Sequence, residues 1–313
     1  MAGKGRIRVG TSGWSYPSGE GKWNGIFYPE KKRKTFDELG FYAEHFDTVE
    51  VNSSFYRVPA IKTTQDWVKR TPARFEFSLK LFQKFTHPDM FLKATGKDPA
   101  DLDRKDVEEF RAAIEPIAAA GKLGALLAQF PASFKNEPGS RDYLAWLLHA
   151  FREYSLAVEL RHRSFSDDPV ETTRLLAEFG AALVQIDEPK FKTSIRQDLL
   201  PNVRTFYYLR LHGRNAAQWW KHDKSEDRYN YLYSESELEP FVEAAEEASR
   251  DVKKAYMYAN NHFSAKSVAN AATIKHKLGQ ELPGEYPEPF VQRYPDLKGI
   301  VRILPPRPSD TLV

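Results

Sequence analysis

Carboxylates, fixed cations and a histidine recur in this chain one residue at a time, each beside apolar neighbours at a spacing of two. They are Glu50, Glu159 and Asp187, then Lys80, Arg161 and Arg210, then His212. Carboxylates whose pKa values are driven apart by their surroundings can act as general acid and base. A lysine and two arginines beside them suit a phosphate or carboxylate, which a guanidinium can grip with two parallel hydrogen bonds. The expected chemistry is metal-independent acid/base work on an anionic small molecule, a phosphorylated sugar or a nucleotide. The candidate catalytic residues are therefore Glu50, Lys80, Glu159, Asp187 and His212. The candidate substrate-binding residues are Ser12, Trp14, Asn52, Gln129, Arg161, Arg210, Tyr258, Asn260 and Asn261. Such chemistry fits a hydrolase, lyase or isomerase.

Their spacing says what must hold them. Side chains alternate faces along a strand, and Tyr207, Leu209 and Leu211 share one face while Tyr208, Arg210 and His212 share the other. Val49 and Val51 oppose Glu50 and Asn52, Val158 and Leu160 oppose Glu159 and Arg161, and Val184 and Ile186 oppose Gln185 and Asp187. Strands covered by helices on both sides of an open sheet read as nearly continuous apolar runs. These strands instead gain charge toward their C-terminal ends, as a barrel needs if those ends line a reactive mouth.

Strand patterns fall at 6–12, 48–55, 74–81, 123–130, 155–161, 181–187, 205–212 and 254–260. Helical patterns lie between them: Thr35–Phe46, Thr63–Arg70, Asp106–Ala120, Ser140–Phe151, Val170–Phe179, Glu235–Arg250 and Lys266–Leu278. Thr35 and Glu38 have the spacing of a capping box, and Gly121 and Gly180 follow helix ends. Eight strands alternating with helices predict a (β/α)8 TIM barrel, in the α/β class, with a doubly wound sheet as the runner-up. No helical pattern joins strands six and seven, so 188–204 is expected to be irregular. The segments Ser15–Lys34, Gln83–Lys105 and Arg214–Ser234 are long connections at the C-terminal face, a length that usually marks functional loops.

Composition narrows the partners. With 41% hydrophobic residues, a net charge of only +3 and no cysteine, the chain can build a core and has no thiolate or disulfide chemistry. No apolar run approaches the ~18 residues of a membrane span, and the opening MAGKGRIRVGTSG has no secretory apolar region, so a cytoplasmic location is expected. The loop aromatics Trp14, Tyr16, Trp23, Phe27 and Tyr28, and then Trp219, Trp220, Tyr229, Tyr231 and Tyr233, could form a lid's own core. They could equally offer a stacking platform to a nucleic acid, with Lys221, His222, Lys224 and Arg228 on its phosphates. Glu50, Glu159, Asp187, His212 and His262 could ligate a divalent metal, but Lys80, Arg161 and Arg210 would crowd it, so no metal is expected. No dinucleotide or phosphate-binding glycine fingerprint occurs, so no cofactor is expected either.

The ordered segments TSGWSYPSGEGKWNGIFYP, VEVNSSFYRVP, FEFSLKLFQKFTHP, LLAQFPASF, AVELRHRSF, YYLRLHGR, RYNYLYS and ANNHFSAKSVANA resemble the YecE-like family, domain of unknown function 72. The resemblance spans roughly 7–280. It implies a TIM barrel, distantly similar to xylose-isomerase-like barrels and to that of endonuclease IV, and it supplies no reaction. Two alternatives therefore stand beside the small-molecule reading: a nucleic-acid-binding or repair-associated barrel, and a carbohydrate-active barrel using Glu50 and Glu159 as its carboxylate pair. Residues 1–280 are expected to form one domain. The proline-rich remainder, 281–313, is expected to wrap the barrel as extended chain.

Overall fold

The computed structural model describes residues 5–97, 102–220, 223–224 and 226–304. Its strands are β1 (Arg6–Ser12), β2 (Thr48–Val51), β3 (Glu76–Lys80), β4 (Leu123–Gln129), β5 (Leu156–Glu159), β6 (Ala182–Leu183), β7 (Gln185–Asp187), β8 (Phe206–Leu211) and β9 (Lys254–Ala259). Every ladder is parallel, in the order β6-β5-β4-β3-β2-β1-β9-β8-β7. The two ends of that order, β6 and β7, are halves of the single strand expected at 181–187, parted only by Val184. The first half pairs with β5 and the second with β8, which brings the sheet round into a TIM barrel.

The irregular connection explains how a strand split this way keeps its backbone satisfied. Gln197 accepts from Ile186 N at 2.9 Å and donates to Val184 O at 2.7 Å. Asn202 accepts from Leu183 N at 2.7 Å and donates to Ala181 O at 2.9 Å. Two side-chain amides thus take the place of a neighbouring strand, and a buried backbone group needs such a partner. A helix at 188–204 could not present amides in this way.

The seven expected helices are present, as Glu38–His45, Ile61–Lys69, Arg104–Ala119, Pro138–Ala150, Pro169–Glu178, Glu235–Asp251 and Lys266–Lys277. Three expectations are corrected. Asp37, not Thr35, caps the first helix, its carboxylate accepting from Gly40 N at 2.9 Å. The connection after β3 holds two helices, Gln83–Thr86 and Pro88–Thr95, the second started by a proline in its first turn. The tail is not all extended chain: Glu288–Arg293 is helical, and Tyr286, Phe290, Tyr294 and Leu297 are buried. Phe290 packs 5.6 Å from Phe27, and the edge of Tyr286 meets His45. Burying such aromatics is what holds the segment to the barrel.

Registers define the inner wall. Ser12, Glu50 and Ser78 are level on neighbouring strands, as are Gln129 and Glu159, and as are Ile186, Arg210 and Tyr258. The interior is polar to its floor. There Arg8 donates to Glu76 at 3.0 Å and to Asp47 at 2.6 Å, and Tyr256 donates to Glu76 at 2.5 Å. One layer higher, the Tyr258 hydroxyl meets Thr48 Oγ1 at 2.6 Å and Ser78 Oγ at 3.0 Å. Most TIM barrels fill this space with branched aliphatics; here tyrosines and ion pairs fill it.

Candidate functional site

The top layer is built around Arg210, which is 1% exposed. β8 sends its guanidinium across the barrel, where Nε and Nη2 donate to the two oxygens of Glu50 at 2.9 and 2.6 Å. Nη1 donates to Glu159 and lies 3.5 Å from Gln129 Oε1. Glu50 also accepts from Ser12 and from Tyr208, both at 2.7 Å. Glu159 accepts from Arg161 Nε at 2.8 Å. Burial alone would raise the Glu159 carboxyl, but Arg210, Arg161 and His212 together hold it well below the usual carboxylate range. His212 takes an amide hydrogen from Asn260 at Nδ1, 2.8 Å away, which leaves Nε2 as the protonated nitrogen facing Glu159 at 3.5 Å. Burial pushes this imidazole down to about 3, so it is neutral.

Above that sealed layer lies an accessible one. Lys80 ends β3 with its ammonium 3.8 Å above the Phe55 ring, and its side chain has no hydrogen bond or ion pair among the described residues. Arg161 lies 3.4 Å from Glu188 Oε2, an oxygen that has no hydrogen-bond partner. Burial raises the Glu188 carboxyl above its usual range against the pull of Arg161. Asn52 donates toward Asn260 at 3.5 Å and leaves its own Oδ1 without a partner. His87 rests edge-on against Phe55, and burial, reinforced by Lys80 and Arg161, lowers it to about 3.

The structure therefore brings together Ser12, Glu50, Asn52, Lys80, Gln129, Glu159, Arg161, Arg210, His212 and Asn260. Four expected residues stand elsewhere. Asp187 faces outward, because Ile186 rather than Asp187 is level with Arg210. It is bound to Arg214 at 2.8 Å and to the Tyr233 hydroxyl at 2.7 Å. Asn261 also points away, toward Tyr231 O and Asn270 Oδ1, each at 2.7 Å. The Tyr258 hydroxyl is one layer below Glu50. The Trp14 ring packs edge-on against Trp67, 5.4 Å away, among residues that cover the barrel's outside. Arg210, expected to hold a ligand, is instead saturated by two carboxylates.

Glu188 and Tyr208 belong to the site without having been among the expected residues, and His87, on the mouth-side loop after β3, joins them against Phe55. Glu188 could have been found as the position after Ala182, Val184 and Ile186 on one face. The potential metal ligands do not converge: Arg210 lies between Glu50 and Glu159, Asp187 is outside, and His262 is sandwiched between Tyr16 and Tyr229 at 4.2 and 4.8 Å. Among the described residues, no three His, Asp or Glu side chains form a metal-sized group. A cavity of about 900 Å³ beside the mouth is lined by Ser53, Tyr56, Arg57, Trp67, Phe82 and Asp106, and none of the ionic residues above reaches it.

The loop aromatics divide. Trp23, Phe27 and Tyr28 are fully buried and form a core for the first loop. Trp219 is 3% exposed and meets His212 edge-on, whereas its neighbour Trp220 is 64% exposed. Lys224 is bound to Glu20, and Lys221 and His222 lie outside the described residues. Trp219→Ala is expected to cost stability toward the lower end of the about 3–5 kcal/mol typical of a truncated core aromatic, because a lid can partly collapse. Trp220→Ala should stay within about 0.5 kcal/mol of the parent, as surface changes do. Urea denaturation of both variants checks this, and equal losses would mean that Trp219 is not the lid's anchor.

Among the described residues, no helix is long and apolar enough to cross a membrane. The model of the family "Protein of unknown function DUF72" matches residues 8–292, running past the boundary expected at 280 into the terminal helix. The UPF0759 protein YunF of Bacillus subtilis is 28% identical over 288 residues, which is 90% of this chain and 98% of that protein. The UPF0759 protein YecE of Escherichia coli is 29% identical over 163 residues, about half of each chain. A crystal structure of a DUF72 family protein from Thermotoga maritima is 35% identical with a TM-score of 0.73, and covers 88% of this chain and all of its own. A DUF72 family protein from Enterococcus faecalis is 25% identical with a TM-score of 0.75, over 88% of this chain and 96% of that one.

Proposed function

We propose, for a chain that belongs to the DUF72 family, that the barrel mouth binds a small anionic molecule and performs metal-independent acid/base chemistry on it. A phosphorylated sugar or a nucleotide is the class that fits. The observation that carries this reading is Lys80. A partly buried ammonium without an acceptor is costly to keep, and an anion arriving beside Arg161 would satisfy it. Asn52 Oδ1 and Glu188 Oε2 are buried without hydrogen-bond partners, the latter 3.4 Å from Arg161. The proton-moving groups are the Glu188 carboxyl, raised by burial, and the Lys80 amine, which burial and the repulsion of Arg210 lower to about 7. Arg210 does not touch the ligand in this reading; it fixes Glu50 and Glu159, and through Glu159 it fixes Arg161.

Calorimetric titration with inorganic phosphate, sugar phosphates and nucleoside monophosphates tests the reading. At least one of them should bind, and Lys80→Met and Arg161→Met should each weaken it ten-fold or more. A parent protein that binds none of them sinks the proposal, as does a Lys80→Met variant that binds equally well. The nucleic-acid alternative has lost Trp23, Phe27, Tyr28, Trp219 and Tyr233 to burial, which leaves Trp220 as its one exposed tryptophan, and a single base stack is worth only about 1–3 kcal/mol. The carbohydrate alternative needs two carboxylates free to act on opposite sides of a glycosidic bond. Here one guanidinium holds both.

A further inference from the structure

We propose that Lys80 is a nucleophile, forming an imine through Nζ with the carbonyl carbon of an anionic aldehyde or ketone whose charged group lies against Arg161. This rests on the anion-binding reading above and names the substrate class more closely.

The geometry separates Lys80 from other lysines that the fold buries. Lys122, at the opposite end of the barrel wall, spends its ammonium on Val68 O, Thr71 O and Thr71 Oγ1 at 2.8, 2.7 and 3.0 Å. Lys275 is directed to Gln280 at 3.4 Å. Each is held by carbonyl or hydroxyl acceptors that favour an ammonium. Lys80 has a ring face beneath it and no such acceptor. Its backbone is fixed, with Lys80 O accepting from Ser54 Oγ at 2.6 Å and Leu81 N donating to Leu127 O at 2.9 Å. The chain therefore delivers the amine from a rigid strand end into the mouth.

The groups acting electrostatically on it are Arg210 and Arg161, which disfavour its charge, and Glu159 and Glu50, which favour it; His87 leans on the same Phe55 ring. Burial is the larger influence, the arginines add to it, and the amine is brought down to about 7, so much of it is the free base at neutral pH.

The step balances within the site. The Nζ lone pair attacks the carbonyl carbon, the carbonyl π electrons pass to oxygen, and that oxygen takes a proton. Nζ then gives up a proton, and the resulting carbinolamine loses its hydroxyl as water when the oxygen is protonated again. Amine, carbonyl and one proton, the net uptake of these transfers, thus become protonated imine and water. In this reading Glu188, which lies against Arg161, and His87, which shares the Phe55 ring with Lys80, carry these protons. His87 has Nδ1 against Thr86 Oγ1 at 2.9 Å, which leaves Nε2 for the exchange. A protonated imine draws electrons from the adjacent carbon, which is what a lyase or isomerase needs.

The test is reductive trapping. The protein is incubated with glyoxylate, pyruvate, glyceraldehyde 3-phosphate or dihydroxyacetone phosphate, reduced with cyanoborohydride, and mapped by peptide mass spectrometry. With at least one of these probes, Lys80 should be labelled ten-fold or more faster than any other lysine. The rate should climb as pH rises through about 7, and inorganic phosphate should compete. Lys80→Arg and Lys80→Met should lose the labelling while remaining folded by circular dichroism. Labelling spread evenly over surface lysines, or undiminished in Lys80→Arg, overturns the proposal. If phosphate binds in the calorimeter while Lys80 stays unlabelled with every probe, the imine fails and the anion site stands. Selective labelling of Lys80 that phosphate does not slow leaves the amine standing and removes the anion site.

Discussion

Arg210→Met unfolds the protein or leaves it barely stable at neutral pH. The variant strips Glu50 and Glu159, both fully buried, of the guanidinium that binds each of them. Removing one partner of a buried ion pair costs about 3–5 kcal/mol, because the remaining charge has lost its compensation. Here one substitution orphans two carboxylates, so the loss should reach at least that range and approach the whole stability of an ordinary domain. Arg210→Lys keeps the charge but loses the fork that reaches both carboxylates, and should fall between variant and parent. The triple variant Glu50→Gln, Glu159→Gln, Arg210→Met should recover much of the loss, since it removes the charges as well as their partner. Thermal and urea denaturation decide the matter. If Arg210→Met melts within a few degrees of the parent, the carboxylates are not held as buried anions and the description of this layer is wrong.

That prediction depends on a layer that was largely legible before any coordinates. Alternation at Tyr208/Arg210/His212 and at Glu159/Arg161 put the right side chains on the inner wall, because β5 and β8 are apolar on the face that the helices cover. The same rule failed at 181–187, the strand split into β6 and β7, for a physical reason. Ala182, Val184 and Ile186 face inward, while Gln185 bonds Leu200 O and Asp187 meets Arg214 and Tyr233 outside. Polarity alone cannot orient a strand whose outer face has its own polar partners; only its register against β8 does. The terminal amides divided for a related reason. Asn260 continues the inward alternation of Tyr256 and Tyr258, and Asn261 is the next residue, turned toward Asn270. Trp219 and Trp220 looked alike as adjacent loop aromatics, and only packing against His212 separates the anchor from the exposed ring. Gln197 and Asn202 read as ordinary loop amides because their partners are backbone groups of the split strand just before them, and the split itself leaves no mark in the sequence pattern.

Acidification should destabilise this protein well above the pH at which glutamates titrate. His212 and His87 are buried, and burial lowers both to about 3, whereas in the unfolded chain each returns to an ordinary value near 6.5. Between those values the unfolded state binds a proton that the native state refuses. Stability is therefore fully present above about 6.5 and is lost as pH falls toward 3. His262 is also lowered to about 3, but it is partly exposed and should contribute less. Glu159, held well below its usual range, adds a loss of the same sign that begins lower, as pH drops through the ordinary glutamate range. Glu188 opposes them, since a raised carboxyl takes up its proton more readily in the native state. Two imidazoles binding one proton each give roughly 1.4 kcal/mol per pH unit apiece. Lowering the pH from 6.5 to 5 should then remove roughly 3–4 kcal/mol, with about two protons taken up on unfolding. His212→Asn should be less stable at pH 7 but should show a slope shallower by about one proton. Urea denaturation at half-unit steps of pH measures that slope. A flat profile between pH 7 and 5, or fewer than one proton taken up, would mean that these imidazoles are solvated and charged, and that the mouth is open to water down to its arginine layer.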